Sequence, residues 1–191
     1  MGSLTSTQNE IIVGSLLGDG TLRKQGTRTN ALFEANHSFR YKSYVDWKYK
    51  HFEEFILTPP KSRKGNGKRI AYRFTTRSLP VFTQYYNSYY RDKRKVIPTD
   101  LEITKIVLAV WFMDDGSKSR NTYYLNTQQF SIVDQKMLID FLERDFKVKS
   151  SLNKDKNYYR IRIRTNSANL FLRVIEPFIL PIFWYKLAMT P

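Results

Sequence analysis

Cysteine is absent from the 191 residues, which removes disulfides and thiolate metal sites. Histidine is nearly absent. His37 and His51 are the only two, too few for a histidine-rich metal centre or a two-histidine nuclease site. No apolar run reaches the roughly 20 residues that span a bilayer, and no secretory apolar segment opens the chain. Acid is scarce: 17 Asp/Glu stand against 32 Lys/Arg, for a net charge of +15 and a pI near 9.9. That balance points to nucleic acid or another anionic surface. Hydrophobic residues make up 41%, too many for a disordered chain, and the length suits one domain or two fused half-domains. Met1-Gly2-Ser3-Leu4-Thr5-Ser6 fits a myristoylation pattern short enough to arise by chance.

Two segments end alike. Ile12-Val13-Gly14-Ser15-Leu16-Leu17-Gly18-Asp19-Gly20 and Leu108-Ala109-Val110-Trp111-Phe112-Met113-Asp114-Asp115-Gly116 are apolar, helix-compatible runs that stop at Asp-Gly. Thr7 with Glu10, and Thr99 with Glu102, read as capping boxes before them. The Gly after each Asp suits a left-handed helix terminus. A carboxylate at a helix C-terminus adds to the partial negative charge there and favours a bound cation. Asp-Gly alone is an ordinary turn dipeptide. Two copies 96 residues apart, each closing an apolar helix, are a much stronger signal. Gly14 and Gly18 share a helical face, and a mid-helix Gly costs about 1 kcal/mol relative to Ala. Close approach of another backbone would explain them, with Ala109 as the small residue of the second run.

The rest of the chain repeats as well. Residues 72–82 align with residues 161–171, sharing Arg73/Arg162, Thr76/Thr165, Ser78/Ser167 and Phe82/Phe171. The reading is an α+β duplication: αββαββα half-domains at 1–97 and 98–191, related by a pseudo-twofold, with the motif helices at the interface and Asp19 beside Asp115. Phe55, Phe82, Tyr86, Phe141, Phe171 and Phe178 are expected core, since they fall on apolar helix faces.

Positive charge gathers at Lys61, Arg63, Lys64, Lys68, Arg69 and Arg73, and again at Arg91, Lys93, Arg94 and Lys95. The first group brackets Gly65-Asn66-Gly67, a hairpin signal, and enters a strand at residues 70–75. A basic two-stranded ribbon fits the major groove of DNA. Such runs are often only solvated faces. Arg160, Arg162 and Arg164 alternate with Tyr159, Ile161 and Ile163, which puts three guanidiniums on one strand face. Residues 21–28 and 117–124, carrying Arg23, Lys24, Arg28, Lys118 and Arg120, are polar hairpin candidates that begin beside the two acids. The tyrosine pairs offer stacking surfaces for bases.

Paired acids in a basic protein have a natural use: a divalent metal with oxygen ligands that cuts a phosphodiester. These motifs resemble those of the LAGLIDADG homing endonucleases, in particular the single-chain, two-motif members encoded by mobile group I introns. The likeness runs over roughly residues 8–189 and includes residues 57–60, 125–128 and the Glu176-Pro177 to Leu187 region. The resemblance implies saddle-shaped antiparallel sheets on double-stranded DNA with a long, near-asymmetric target. It implies Mg²⁺-dependent cleavage of both strands across the minor groove, leaving short 3′ overhangs. Mn²⁺ is expected to substitute, and Ca²⁺ to support binding without efficient cutting. The metal acids carry over to Asp19 and Asp115, the adjoining metal-site positions to Gly18 and Asp114, the active-site lysines to Lys95 and Lys186, and the amides to Gln128 and Asn36. Asp114 stands where the first motif has Gly18, so it is expected to act beside the ligands rather than as one, in an asymmetric site. A monomer needing no protein partner and no membrane follows, in a mitochondrion. Two alternatives share the fold: a maturase that binds intron RNA, and an inactive DNA-binding regulator.

Overall fold

The computed structural model describes residues 3–27, 29–65 and 67–187. Met1 and Gly2 of the acylation pattern, Asn66 of the hairpin signal and Arg28 of the basic set lie outside them. The chain separates into two compact units between Asn87 and Ser88. The first contains α1 (Ser6–Leu17), β1 (Thr21–Lys24), β2 (Ala31–Ser38), α2 (Lys42–Phe52), β3 (Lys61–Lys64), β4 (Ile70–Thr75) and nearly all of α3 (Pro80–Tyr89). The second contains a ribbon of β5 (Tyr90–Arg91) and β6 (Arg94–Lys95), then α4 (Lys105–Asp115), β7 (Gly116–Lys118), β8 (Tyr123–Leu125), α5 (Ile132–Phe146), β9 (Ser150–Asp155), β10 (Tyr158–Ile163) and α6 (Ala168–Ile175). Both units are αββαββα. Their antiparallel sheets have the same order, β1-β2-β4-β3 and β7-β8-β10-β9. The ribbon was not legible in the basic run Arg91–Lys95. Asp92 and Lys93 both adopt positive φ, 48° and 63°, in a tight two-residue turn. This segment packs with the second unit, so 14 Lys/Arg and 6 Asp/Glu fall in residues 1–87, and 18 and 11 in residues 88–191. The two units are therefore almost equally basic.

The motif helices begin later or earlier than their expected caps. Thr5 opens α1: its hydroxyl accepts from the Gln8 N–H (3.2 Å), and the Gln8 side chain accepts from the Thr5 N–H (2.9 Å). Thr7 lies inside the helix. Thr104 opens α4 by accepting from the Val107 N–H (3.2 Å), and Thr99 and Glu102 lie in the irregular run before it. Gly20 and Gly116 are not left-handed, since positive φ among the described glycines is confined to Gly26 and Gly67. Their requirement is steric. A Cβ on Gly20 would sit 2.6 Å from Ser15 Cβ and 2.8 Å from the Ser15 oxygen. On Gly116 it would overlap the ring and the carbonyl oxygen of Phe112. Only Gly lets the chain fold back against the helix it has just left.

Each unit has its own aromatic core. Phe33 meets Phe52 and Phe74 at centroid distances of 5.3 and 6.1 Å in the first. Phe112, Tyr123 and Phe171 form a triangle of 5.5–5.6 Å in the second. Phe82, Phe141 and Phe171 are buried as expected, Phe55 and Tyr86 only half so, and Phe178 is 37% exposed. Phe178 lies on a short 3-10 turn after α6, where the helical face that suggested burial has ended.

Strand register refines the repeat. Glu34 pairs with Thr21 and Thr75 as Tyr124 pairs with Ser117 and Arg162, so β4 and β10 correspond at a spacing of 87 residues rather than the 89 of the sequence alignment. A slip of two leaves every side chain on its face. Arg73 therefore matches Arg160, while Phe82 and Phe171 still fill the two cores.

Candidate active site and nucleic-acid interface

Asp19 lies two residues beyond α1, with its side chain about 50% exposed. The turn is tied back by the Gly18 N–H to the Gly14 and Ser15 oxygens (3.2 and 3.1 Å) and by the Gly20 N–H to the Ser15 oxygen (2.7 Å). His37 Nδ1, on the inward face of β2, stands 3.6 Å from Asp19 Oδ2. Its ring is buried and lies 5.1 Å from that of Tyr44. Asn36 is exposed on the opposite face of β2 and pairs in register with Arg73. The other histidine, His51, is pushed below its ordinary pKa by burial and is thereby kept out of the protein's positive charge near neutral pH.

Asp115 is the last residue of α4 and is half-buried, as is Asp114. The Asp115 carbonyl accepts from the backbone N–H of Asn126 (3.1 Å) and from its side-chain amide (2.7 Å). Gln129 Nε2 lies 3.5 Å from Asp115 Oδ2. Gln128 instead donates to Asp155 Oδ2 (2.9 Å). The amides that the fold brings to Asp115 are thus Asn126 and Gln129. Asn126 had a signal in the sequence: a hairpin that pairs Gly116 with Leu125 must carry residue 126 back to residue 115. His37 had none, because only the register of β2 sets it beside Asp19.

Lys186 is buried, and its ammonium donates to the Met113 and Phe112 carbonyls (2.8 and 3.3 Å). These are C-terminal carbonyls of α4, where a cation offsets both the helix dipole and the neighbouring acids. Lys95 is half-buried on β6, paired through its backbone with Tyr90. Gly14, Gly18 and Ala109 are all buried.

The sheet faces carry the basic residues. In the first unit, Arg73 pairs in register with Lys61, and Arg63 stands at the next same-face position of β3. All of β3 is exposed, as are Lys68 and Arg69 in the turn after it. A concavity of 330 Å³ is lined by Arg23, Lys61, Arg63 and Arg73, with Thr58 and Pro59 among its other walls. Lys24 ends β1 with its ammonium 5.3 Å from the Tyr86 ring centroid. In the second unit, Arg160 lies 4.1 Å over the Tyr124 ring and donates to Asn126 Oδ1 (3.2 Å). Arg162 pairs in register with Tyr124 and Ser151. Arg164 falls just past β10, exposed, with its N–H on the Lys149 oxygen (2.9 Å). The expected row of three arginines is therefore two on the strand and one beyond it. Lys118 and Arg120 are exposed at the β7–β8 turn.

The model of the LAGLIDADG DNA endonuclease family matches residues 9–171. The probable intron-encoded endonuclease 1 of Wickerhamomyces canadensis is 30% identical over 200 residues, covering 97% of this chain and 85% of that protein. The cytochrome b mRNA maturase bI2 of Saccharomyces cerevisiae is 30% identical over 205 residues, covering 98% of this chain and 48% of that protein. Among solved structures, the homing endonuclease I-WcaI bound to its DNA recognition sequence matches with a TM-score of 0.91 at 28% identity, over 100% of this chain and 90% of that one.

Proposed function

The chain belongs to the LAGLIDADG DNA endonuclease family, and from that premise we propose that it is a site-specific homing endonuclease that cuts both strands of a long, near-asymmetric duplex site. One observation carries the reading: two copies of one αββαββα unit each end a buried helix in an Asp beside a basic antiparallel sheet. The likeness to a homing endonuclease described with its DNA recognition sequence supports it. Each unit supplies one acid, Asp19 in the first and Asp115 in the second, and each acid serves one strand, with Lys186 beside the end of α4 and Lys95 on the ribbon as the active-site lysines. The cuts fall across the minor groove to leave short 3′ overhangs.

The residues fit a hard divalent cation. The oxygen donors at each helix end are carboxylates and carbonyls, with the His37 imidazole 3.6 Å from Asp19 in the first unit, and among the described residues no three His, Cys, Asp or Glu side chains gather. A site so poor in protein ligands suits Mg²⁺, which keeps several waters and shares substrate phosphate oxygens. At each helix end the acid would hold it: Asp19 with Gly18 adjoining in the first unit, Asp115 with Asp114 adjoining in the second. When bound, the metal supplies an activated water and a counter-charge for the leaving oxygen. Lys186 restrains the α4 carbonyls and lowers the cost of gathering acids there. Asn126 fixes the backbone at Asp115 and, through Oδ1, steadies Arg160.

The test is incubation of the purified protein with duplex carrying the uninterrupted insertion site of its intron, with both strands resolved on denaturing gels. Mg²⁺ or Mn²⁺ should give two cuts, Ca²⁺ binding without efficient cutting, and EDTA none. Full activity in EDTA would sink the metal assignment. A maturase role is the second reading, favoured by the maturase relatives. Tight binding of intron RNA with no cleavage of duplex would establish it instead. The cytochrome b relatives also support a mitochondrial site of action. No helix among the described residues is long and apolar enough to cross a membrane, and a monomer suffices, since both acids lie in one chain.

A further inference from the structure

Among the described residues, the basic face of the first sheet holds one carboxylate. Glu34 is on β2, with its side chain 13% exposed. Its Oε2 accepts from Arg23 Nη2 on β1 at 2.9 Å, and its Oε1 lies 3.5 Å from Arg73 Nη1 on β4. Its register partners are Thr21 and Thr75, so backbone pairing does not call for an acid there. For phosphate capture the acid is a handicap, since it subtracts from the attraction that the cations provide. As a stabiliser it is weak, because partly exposed ion pairs contribute only about 0–1 kcal/mol.

The second unit shows what the position does. Tyr124 pairs with Ser117 on β7 and Arg162 on β10, as Glu34 pairs with Thr21 and Thr75. Glu34 and Tyr124 are therefore equivalent, and so are Arg73 and Arg160. Each unit uses this position to hold the same arginine, by a carboxylate in one and by a ring face at 4.1 Å in the other. In the first unit the carboxylate also holds Arg23, whose side chain is 38% exposed. A guanidinium held by one N–H keeps the rest of its fork free, and that fork matches the O6 and N7 edge of guanine.

We infer that Glu34 is a positioning residue for sequence readout: it presets Arg23 and Arg73 as a pair that reads guanine edges under the first unit, at the expense of general DNA affinity. The inference rests on the DNA-cleaving reading above. It is tested with a library of randomised duplexes, bound in Ca²⁺ and sequenced, for the wild type, Glu34→Gln and Arg23→Ala/Arg73→Ala with and without Glu34→Gln. The wild type should select a defined site; selection of none would count against the DNA reading itself. Glu34→Gln should bind scrambled duplex a few-fold more tightly, yet lose about tenfold discrimination at the guanines under the first unit only. In the double-arginine background the substitution should cost no further discrimination. A selected site with an unchanged preference profile in Glu34→Gln would overturn the inference. So would a loss spread evenly over both halves of the site, or one that persists without the arginines. Thermal melting of each variant separates lost readout from lost folding, and Glu34→Asp, which keeps the charge, should restore part of the preference.

Discussion

In the first unit Glu34 grips Arg23 and Arg73; in the second, Tyr124 stands at the matching position and offers Arg160 a ring face instead. The acids differ in the same spirit. Asp19 stands two residues past its helix with a buried His37 at 3.6 Å, whereas Asp115 ends its helix with its carbonyl held by Asn126. Strand order is shared, while the side chains around the two acids and on the two sheet faces are not. Duplication supplied the scaffold, and a scaffold whose core and strand pairing are satisfied tolerates divergence at exposed positions. On the proposed function, the two strands of a duplex would meet unlike surroundings, which suits an asymmetric site.

Removing either acid should have the largest effect. Asp19→Asn or Asp115→Asn should lower double-strand cleavage by roughly a thousandfold, since a metal contributes several kcal/mol at such a site, while filter-binding affinity stays near wild type. Strand-resolved kinetics then sharpen the comparison. Near wild-type cutting of both strands by either variant would rule out one acid per strand. Next comes the basic ribbon. Neutralising Lys61, Lys64, Lys68 and Arg69 together should reduce the slope of log affinity against log salt by roughly 3 to 4, at about 0.9 per phosphate. Removing Arg160 should leave that slope nearly unchanged and relax base preference at one position, worth about 1–3 kcal/mol. An unchanged slope in the four-site variant would mean that the ribbon is a solvated loop.

Smaller effects separate the helix ends. Gly116→Ala must displace a core ring and a backbone oxygen, and should lose about 3 kcal/mol in urea unfolding; Gly20→Ala, facing Ser15 alone, should lose about 2. Equal losses would mean that the two turns relax alike. Smallest are the caps. Thr5→Ala breaks a reciprocal box and should cost somewhat more than Thr104→Ala, each about 1 kcal/mol, read from the same urea curves.

Much of this was legible from residue order because it rests on local physics. Alternation in Tyr159–Ile163 required one buried and one polar face, and the strand has both. Apolar runs ending in Asp-Gly required a helix and a reversal, and both occur. The first cap was misplaced because Thr5 with Gln8 and Thr7 with Glu10 offer the same pattern, and only the first helical hydrogen bond chooses between them; the second because Thr104, followed three residues on by Val107, caps without a box. Gln128 came from the resemblance alone, and only the hairpin register shows that Asn126 holds the Asp115 carbonyl while Gln128 reaches Asp155.

The sequence by itself determined the duplicated architecture, the two acids, the positive charge and the family, since each depends on pattern, spacing or composition. Tertiary structure alone decided what stands beside what: His37 by Asp19, Lys186 on the α4 carbonyls, Glu34 between two arginines, and a spacing of 87 where the alignment had 89. The reason is physical. Helix and strand periodicities fix the face on which a side chain lies, but a shift of two residues preserves every face. The partner across the sheet is set only when the strands, turns and core settle into one register.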